Sequence, residues 1–278
     1  MTRIRTLAAL VMAPVAIAAI LLLPTGWMMV LAAVVLLLGL WEWLELAGVD
    51  DSVARFALLA AHLAVMVGLV WASRSGSGIS LVLFLLASAV GVAWWLVSLL
   101  WLRYPGFARD PGGYSRMAKL AAGALAMIPA WTAVGYIHAG QPHGDRWLLV
   151  ALFVVWGADT GAYFVGRKLG RHKLAPRVSP NKTIEGLLGG LVVGVGVGLL
   201  VALSTGIPVA RLPGLAVVCL VAALFSVIGD LVESLLKRQA GVKDSGKLIP
   251  GHGGVLDRVD GVLAALPAFA LGKAVLGL

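Results

Sequence analysis

Apolar blocks of about 20 residues follow one another along this chain, and that length limits what the chain can fold into. They run over 7–23, 27–47, 53–73, 79–101, 117–137, 147–166, 185–205, 212–236 and 259–277. Twenty apolar residues make a helix that crosses the hydrocarbon core of a bilayer. In lipid the backbone has no water to bond, so each crossing segment must satisfy its own N–H and C=O groups as a helix. Hydrophobic residues make up 60% of the 278 and charged ones 13%, where a soluble domain has about one half and one quarter. The expectation is an all-α, polytopic transmembrane protein with about nine spans, residues 1–278 forming one integral membrane domain.

The first block has a basic lead, Arg3 and Arg5, and Ala16 and Ala18 would suit a cleaved leader. The next block begins just past Pro24-Thr25-Gly26. A tight hairpin explains that spacing, so the expectation is an uncleaved first helix.

The net charge of +9 would suggest nucleic acid on a soluble protein, but here the basic residues lie between apolar blocks. There they set orientation and meet anionic head groups or phosphates, so membrane lipids and not nucleic acid are the expected partners. With the N-terminus inside and nine spans, 18 of the 22 Lys and Arg residues fall on inside segments. Only Arg74, Arg146, Arg211 and Lys273 fall outside. The positive-inside bias puts the two most basic loops, 167–184 and 237–258, on one cytoplasmic side.

Several chemistries find no support. The single cysteine, Cys219, lies in an apolar run and cannot form an internal disulfide. His138 and His143 have no nearby Cys or carboxylate cluster for a metal. No Walker or dinucleotide glycine loop is present. Glu42, Glu45 and His62, the main polar residues of the early spans, read as interfacial or packing groups.

The character changes near residue 147. Asp230, Glu233, Ser234 and Lys237 share one helix face at the end of the eighth span. Asp257 and Asp260 share a face at the start of the ninth. Between them run Lys237, Arg238, Lys243 and Lys247, then Pro250-Gly251-His252-Gly253-Gly254. Carboxylates facing basic groups at a membrane surface suit a metal–phosphate site, since Mg²⁺ takes one or two carboxylates plus phosphate oxygens. Lys and Arg neutralise the remaining charge, and glycines let backbone N–H groups approach an anion. The plainer reading is a cytoplasmic loop with capping aspartates. Capping, however, needs neither His-Gly-Gly nor a second carboxylate on the preceding helix.

The segment 234–260 resembles the signature of the phosphatidate cytidylyltransferase (CDP-diacylglycerol synthase) family. Ser234, Lys237, Arg238, Lys243, Asp244, His252, Gly253, Gly254, Asp257, Arg258 and Asp260 match it in type and spacing. Two further stretches resemble the family: 159–167, with Asp159, Tyr163 and Gly166 on one helix face, and 179–186, reading Ser179-Pro180-Asn181-Lys182-Thr183-Ile184-Glu185-Gly186. The likeness covers roughly the last half of the chain, so residues 147–278 are the expected catalytic part and residues 1–146 its N-terminal helices.

These stretches also make sense physically. A charge such as Asp159 inside a span is costly and is a functional candidate, the alternative being an Asp paired with a neighbouring helix. Ser179 to Thr183 can open span seven, with Glu185 in its first turn, so that N–H groups and Lys182 hold a phosphate; a plain helix cap is the other reading. Arg167, Lys168, Arg171 and Lys173 read as orientation and head-group contacts. Gly186, Gly190, Gly194 and Gly198 form a stripe for close helix contact, within one chain or across a dimer. The resemblance favours a homodimer.

The resemblance implies a nucleotidyltransferase of phospholipid biosynthesis: CTP and phosphatidate give CDP-diacylglycerol and diphosphate. It places the enzyme in the bacterial inner membrane with its site on the cytoplasmic side. It implies Mg²⁺, held by Asp230 and Asp257 with Asp260 as a third candidate, and allows a second cation. Lys237, Arg238, Lys243 and Arg258 would bind phosphates, and His252 either hydrogen-bonds nucleotide or holds its turn. The rivals are a CTP-using lipid or polyprenol kinase, a CDP-alcohol phosphotransferase and an ion-coupled transporter using Asp159 and Asp230. The phosphotransferase motif Asp-Gly-x-x-Ala-Arg is broken here, since Asp260-Gly261 is followed by Ala264-Ala265.

Overall fold

The structure, a computed structural model, describes residues 2–75, 78–248 and 253–278, with side chains from Met12 onward apart from Ser75. Nine α-helices are present among them: α1 (Thr2–Leu22), α2 (Thr25–Leu46), α3 (Ser52–Ala72), α4 (Val82–Arg103), α5 (Gly113–Ala139), α6 (Gly144–Leu169), α7 (Ile184–Ser204), α8 (Leu212–Gln239) and α9 (Leu256–Val275). Each overlaps one apolar block of the sequence, and α1 turns into α2 at Leu23-Pro24 as the hairpin reading requires. Seven helices, α2 to α8, are long and apolar enough to cross a membrane.

The expectation of nine spans is therefore met for seven, and α9 shows why composition stops short. It carries Asp257, Arg258, Asp260 and Lys273. It also lies at the centre of the bundle, against α2, α4, α5, α6 and α8. Leu266, Ala268, Phe269 and Ala270 are all buried by protein. A helix sheathed by other helices does not need an apolar surface toward lipid. α3 is the opposite case: Met66 is its one buried residue, while Val53, Phe56, Val67 and Trp71 are exposed. Apolar surface on that scale does not face water in a stable monomer, and here it is the lipid-facing belt.

Buried indoles fasten the bundle. Pro267 interrupts α9 and, lacking an N–H, leaves the Leu263 carbonyl without its helical donor. The Trp95 indole N–H fills that place at 3.2 Å. Trp43 Nε1 donates to the Lys119 carbonyl at 2.8 Å, and Trp131 Nε1 to the Met29 carbonyl at 3.0 Å.

The glycine stripe of α7 packs inside the chain. A side chain at Gly190 or Gly194 would strike the Ala158 or Val154 carbonyl of α6, and one at Gly198 would strike Val154 and Cys219. The stripe thus brings α6 and α7 together, and a dimer would need a different surface.

Two short antiparallel ribbons qualify the all-α expectation: β1 (Arg74–Ser75) with β2 (Gly78–Ile79), and β3 (Lys173–Ala175) with β4 (Ser179–Thr183). The second corrects the reading of 179–183 as a helix start. Pro180 pushes Ser179 toward extended backbone, the strand pairs Ala175 with Ser179 and Lys173 with Thr183, and α7 begins only at Ile184. Thr183 is its N-cap, its hydroxyl accepting from the Gly186 N–H at 3.1 Å.

Candidate active site

A cavity of about 590 Å³ opens between α6, β4, α7 and α8. Asp159, Tyr163, Ser179, Asn181, Lys182, Thr183 and Asp230, all candidates from the sequence, line it together. Arg167, read from the sequence as an orientation and head-group contact, lines it too. Deeper along the helices the lining becomes apolar, with Ala158, Leu187, Leu191, Ala223 and Val227. One end is thus polar and the other greasy.

Lys182 reaches from β4 to form an ion pair with Asp230 of α8. The second oxygen of Asp230 accepts from the Ser234 hydroxyl at 3.4 Å. Asp159 lies within electrostatic reach of Asp230, Lys182 and Arg258. Tyr163, exposed at the cavity, accepts a hydrogen bond from Arg167 at 3.1 Å.

Behind Asp230 the carboxylates converge. Asp230, Glu233 and Asp260 each place an oxygen within 4.8 Å of the others. Two glycines make this approach of α8 and α9 feasible. A side chain at Gly229 would collide with the Asp260 carbonyl, and one at Gly261 would press on Ser226. The donor set is all carboxylate oxygen, the set a hard divalent cation takes.

Asp257 is not part of that cluster. One of its oxygens accepts from Lys237 Nζ at 2.6 Å, and the other from the N–H groups of Ser245 at 3.0 Å and Gly254 at 2.8 Å. Lys237 also pairs with the buried Glu233, so it stands between the acidic cluster and the loop. Of the metal set expected from the sequence, Asp230 and Asp260 lie together, with Glu233 beside them and Asp257 apart. The spacing of 257 and 260 puts both on one helix end; it cannot show that the loop's N–H groups claim the first of them.

The other signature residues spread along the loop. Arg238, Lys243, Asp244 and Arg258 are exposed, and Arg238 donates to the Val242 carbonyl at 3.3 Å. Gly253 has φ +81, and a side chain there would strike the Asp257 carboxylate, so both conformation and space require glycine. His252 lies outside the described residues. Glu185 does not line the cavity. It accepts from the Arg171 and His172 N–H groups at 3.0 and 3.2 Å and pairs with the His172 ring at 2.6 Å, closing the turn before β3.

Glu42, read from the sequence as an interfacial or packing group, holds the signature loop. It is 2% exposed. Its carboxylate accepts from the Ser245 hydroxyl at 2.9 Å, the Val255 N–H at 3.0 Å and the Leu256 N–H at 2.8 Å. It thereby caps α9 and ties the C-terminal end of the signature loop to Ser245. A side chain at Gly246 or Gly254 would run into it. The same rule that singles out Asp159, a charge inside a span, could have found it.

The profile of the Cytidylyltransferase family matches residues 3–275. The chain belongs to that family. It is 38% identical over 272 residues to the phosphatidate cytidylyltransferase of Pseudomonas aeruginosa, covering 97% of this chain and 96% of that one. It is 34% identical over 291 residues to the Haemophilus influenzae protein of the same name, covering 97% and 98%. With the Bacillus subtilis protein of that name it shares 45% identity over 125 residues, covering 45% and 46%. The similarity to the first two includes the N-terminal half, where the sequence motifs are silent and where Glu42 lies.

Proposed function

We propose that this membrane protein is a phosphatidate cytidylyltransferase, converting CTP and phosphatidate to CDP-diacylglycerol and diphosphate. One observation carries the reading: Asp230 belongs both to the wall of the amphipathic cavity and to the carboxylate cluster. A lipid phosphate in that cavity meets Lys182, Arg167, Ser179 and Asn181, while its acyl chains follow the apolar lining toward the bilayer. A phosphate oxygen of the lipid attacks the α-phosphorus of CTP. The bond to the bridging oxygen breaks, and diphosphate leaves with the electron pair. No protein nucleophile is required, and the protein contributes position and charge.

The carboxylates fit Mg²⁺, which Asp230, Glu233 and Asp260 would hold. Three acids this close repel one another unless a cation shares them. When bound, the ion would draw negative charge from phosphate oxygens. Lys237, tied to both Glu233 and Asp257, orients the cluster against the loop, and the loop's Arg238, Lys243 and Arg258 meet the nucleotide phosphates. In this reading α1 and α9 also cross the membrane. The chain lies in the bacterial inner membrane with the cavity on the cytoplasmic side, as the positive-inside count supports. A homodimer, as the resemblance implies, would use a surface other than the α7 glycines.

The test is a reconstitution with purified protein, phosphatidate, CTP and Mg²⁺. CDP-diacylglycerol should form, and a chelator should abolish it. Lipid-dependent turnover of ATP with none of CTP would overturn the assignment.

A further inference from the structure

A second cavity, of about 230 Å³, lies among the C-terminal ends of α2 and α8 and the N-terminal end of α5. It shares no lining residue with the larger cavity. Its lining includes three cations, Arg109, Arg116 and Lys119, and the hydroxyl-bearing Ser115.

Lys119 is the residue that gives the cavity meaning. It is 7% exposed, yet among the described residues its ammonium has neither a hydrogen-bond nor an ion-pair partner; only its backbone carbonyl is engaged, by Trp43. The side chain is buried along its length while Lys119 lines the cavity, and an ammonium held there without a counter-charge is stabilised once an anion enters beside it. α5 adds to the pull. Its N-cap is Gly112, which offers no side-chain acceptor to the first N–H groups, and those groups carry partial positive charge. Two carboxylates border the cavity. Glu45 is held by Arg55 at 3.2 Å, and Asp110 is exposed. Neither answers Lys119.

We infer that this cavity is a second anion site, which takes a phosphate group beside Lys119, Arg109, Arg116, Ser115 and the start of α5. At a membrane face the phosphate comes either from a lipid headgroup or from a soluble phosphate. The site touches α8 at Gln239 and Ala240, just past Lys237. Gln239 in turn holds the α4–α5 loop by donating to the Pro105 and Phe107 carbonyls, each at 3.0 Å. An occupant therefore rests on the helix that carries the acidic cluster.

The full-length protein in phosphate-free buffer provides the test, read as the rise in Tm. In one arm inorganic phosphate is titrated into protein in neutral detergent. In the other, nanodiscs of phosphatidylcholine are compared with nanodiscs to which phosphatidylglycerol is added. At least one arm should stabilise the wild type. Lys119→Met should remove that response or weaken its affinity by about tenfold or more, as expected for losing a charge-assisted contact. The double variant Arg109→Gln/Arg116→Gln changes only exposed side chains and should weaken the response in the same direction; it decides alone if Lys119→Met fails to fold. Phosphate held in the reaction cavity is indifferent to all three residues. A response in the phosphate arm alone identifies a soluble phosphate, and one in the lipid arm alone a headgroup. Equal responses in wild type and variants, or none in either arm, overturn the site.

Discussion

The carboxylate of Glu42 on α2 accepts a hydrogen bond from the backbone N–H of Leu256, 214 residues further along the chain, at 2.8 Å. Through it the N-terminal helices hold the signature loop in place. Removing the carboxylate leaves two N–H groups and the Ser245 hydroxyl without their acceptor. Glu42→Ala should therefore cost about 3 kcal/mol, the scale of hydrogen bonds to a buried charge. Turnover should fall about tenfold or more even where the variant is folded, because the loop loses its register. Glu42→Gln, which keeps an acceptor, should recover much of the stability. Thermal unfolding and kcat of the three proteins check this, and wild-type turnover in a folded Glu42→Ala would show that the clamp positions nothing.

The carboxylates divide into two groups that a magnesium titration separates. Asp230→Asn, Glu233→Gln and Asp260→Asn should each lower activity by about a hundredfold or more and raise the Mg²⁺ needed for half-maximal rate. Asp257→Asn should also lower activity, because Lys237 and two loop N–H groups lose their charged acceptor. Its Mg²⁺ midpoint should stay close to that of the wild type. A larger midpoint shift for Asp257→Asn than for Glu233→Gln would return Asp257 to the metal.

The helices are legible in the sequence because bilayer thickness fixes their length, and the motif loops are legible because phosphate chemistry fixes their residue types. Three things are not legible, each for a physical reason. Glu42 stands out as a charge inside a span, but its partners lie more than 200 residues away, and no local spacing signals them. Asp257 lies apart from the cluster of Asp230, Glu233 and Asp260 because the loop's backbone N–H groups, invisible to residue-type reasoning, bind it. The strand at 179–183 is masked by its polar, helix-opening composition, although Pro180 already argues for extended backbone before it.

The glycine stripe yields a stability prediction. At Gly194 a side chain would begin 2.9 Å from the Val154 carbonyl and 3.1 Å from the Ala158 side chain, while at Gly196 nothing lies within 4 Å. Gly194→Leu should destabilise by about 1–3 kcal/mol through overpacking and distort the cavity wall, whereas Gly196→Leu should be tolerated. Unfolding in detergent measures both. A monomer of unchanged stability from Gly194→Leu would instead assign the stripe to a dimer.

Orientation is testable by thiol labelling, and the native Cys219, fully buried, adds no background. A cysteine placed at Lys173 or Lys247 should be shielded from an impermeant reagent in intact cells, and one at His143 should react. The opposite pattern would move the cavity to the outer face, away from cytoplasmic CTP.

The central claim concerns which phosphorus of CTP is joined to the lipid. Reconstituted protein given phosphatidate and Mg²⁺ should place label from the α-phosphorus of CTP in the lipid product, and label from the γ-phosphorus in free diphosphate. Label from the γ-phosphorus appearing in the lipid, with none from the α-phosphorus, would show a kinase and contradict the account.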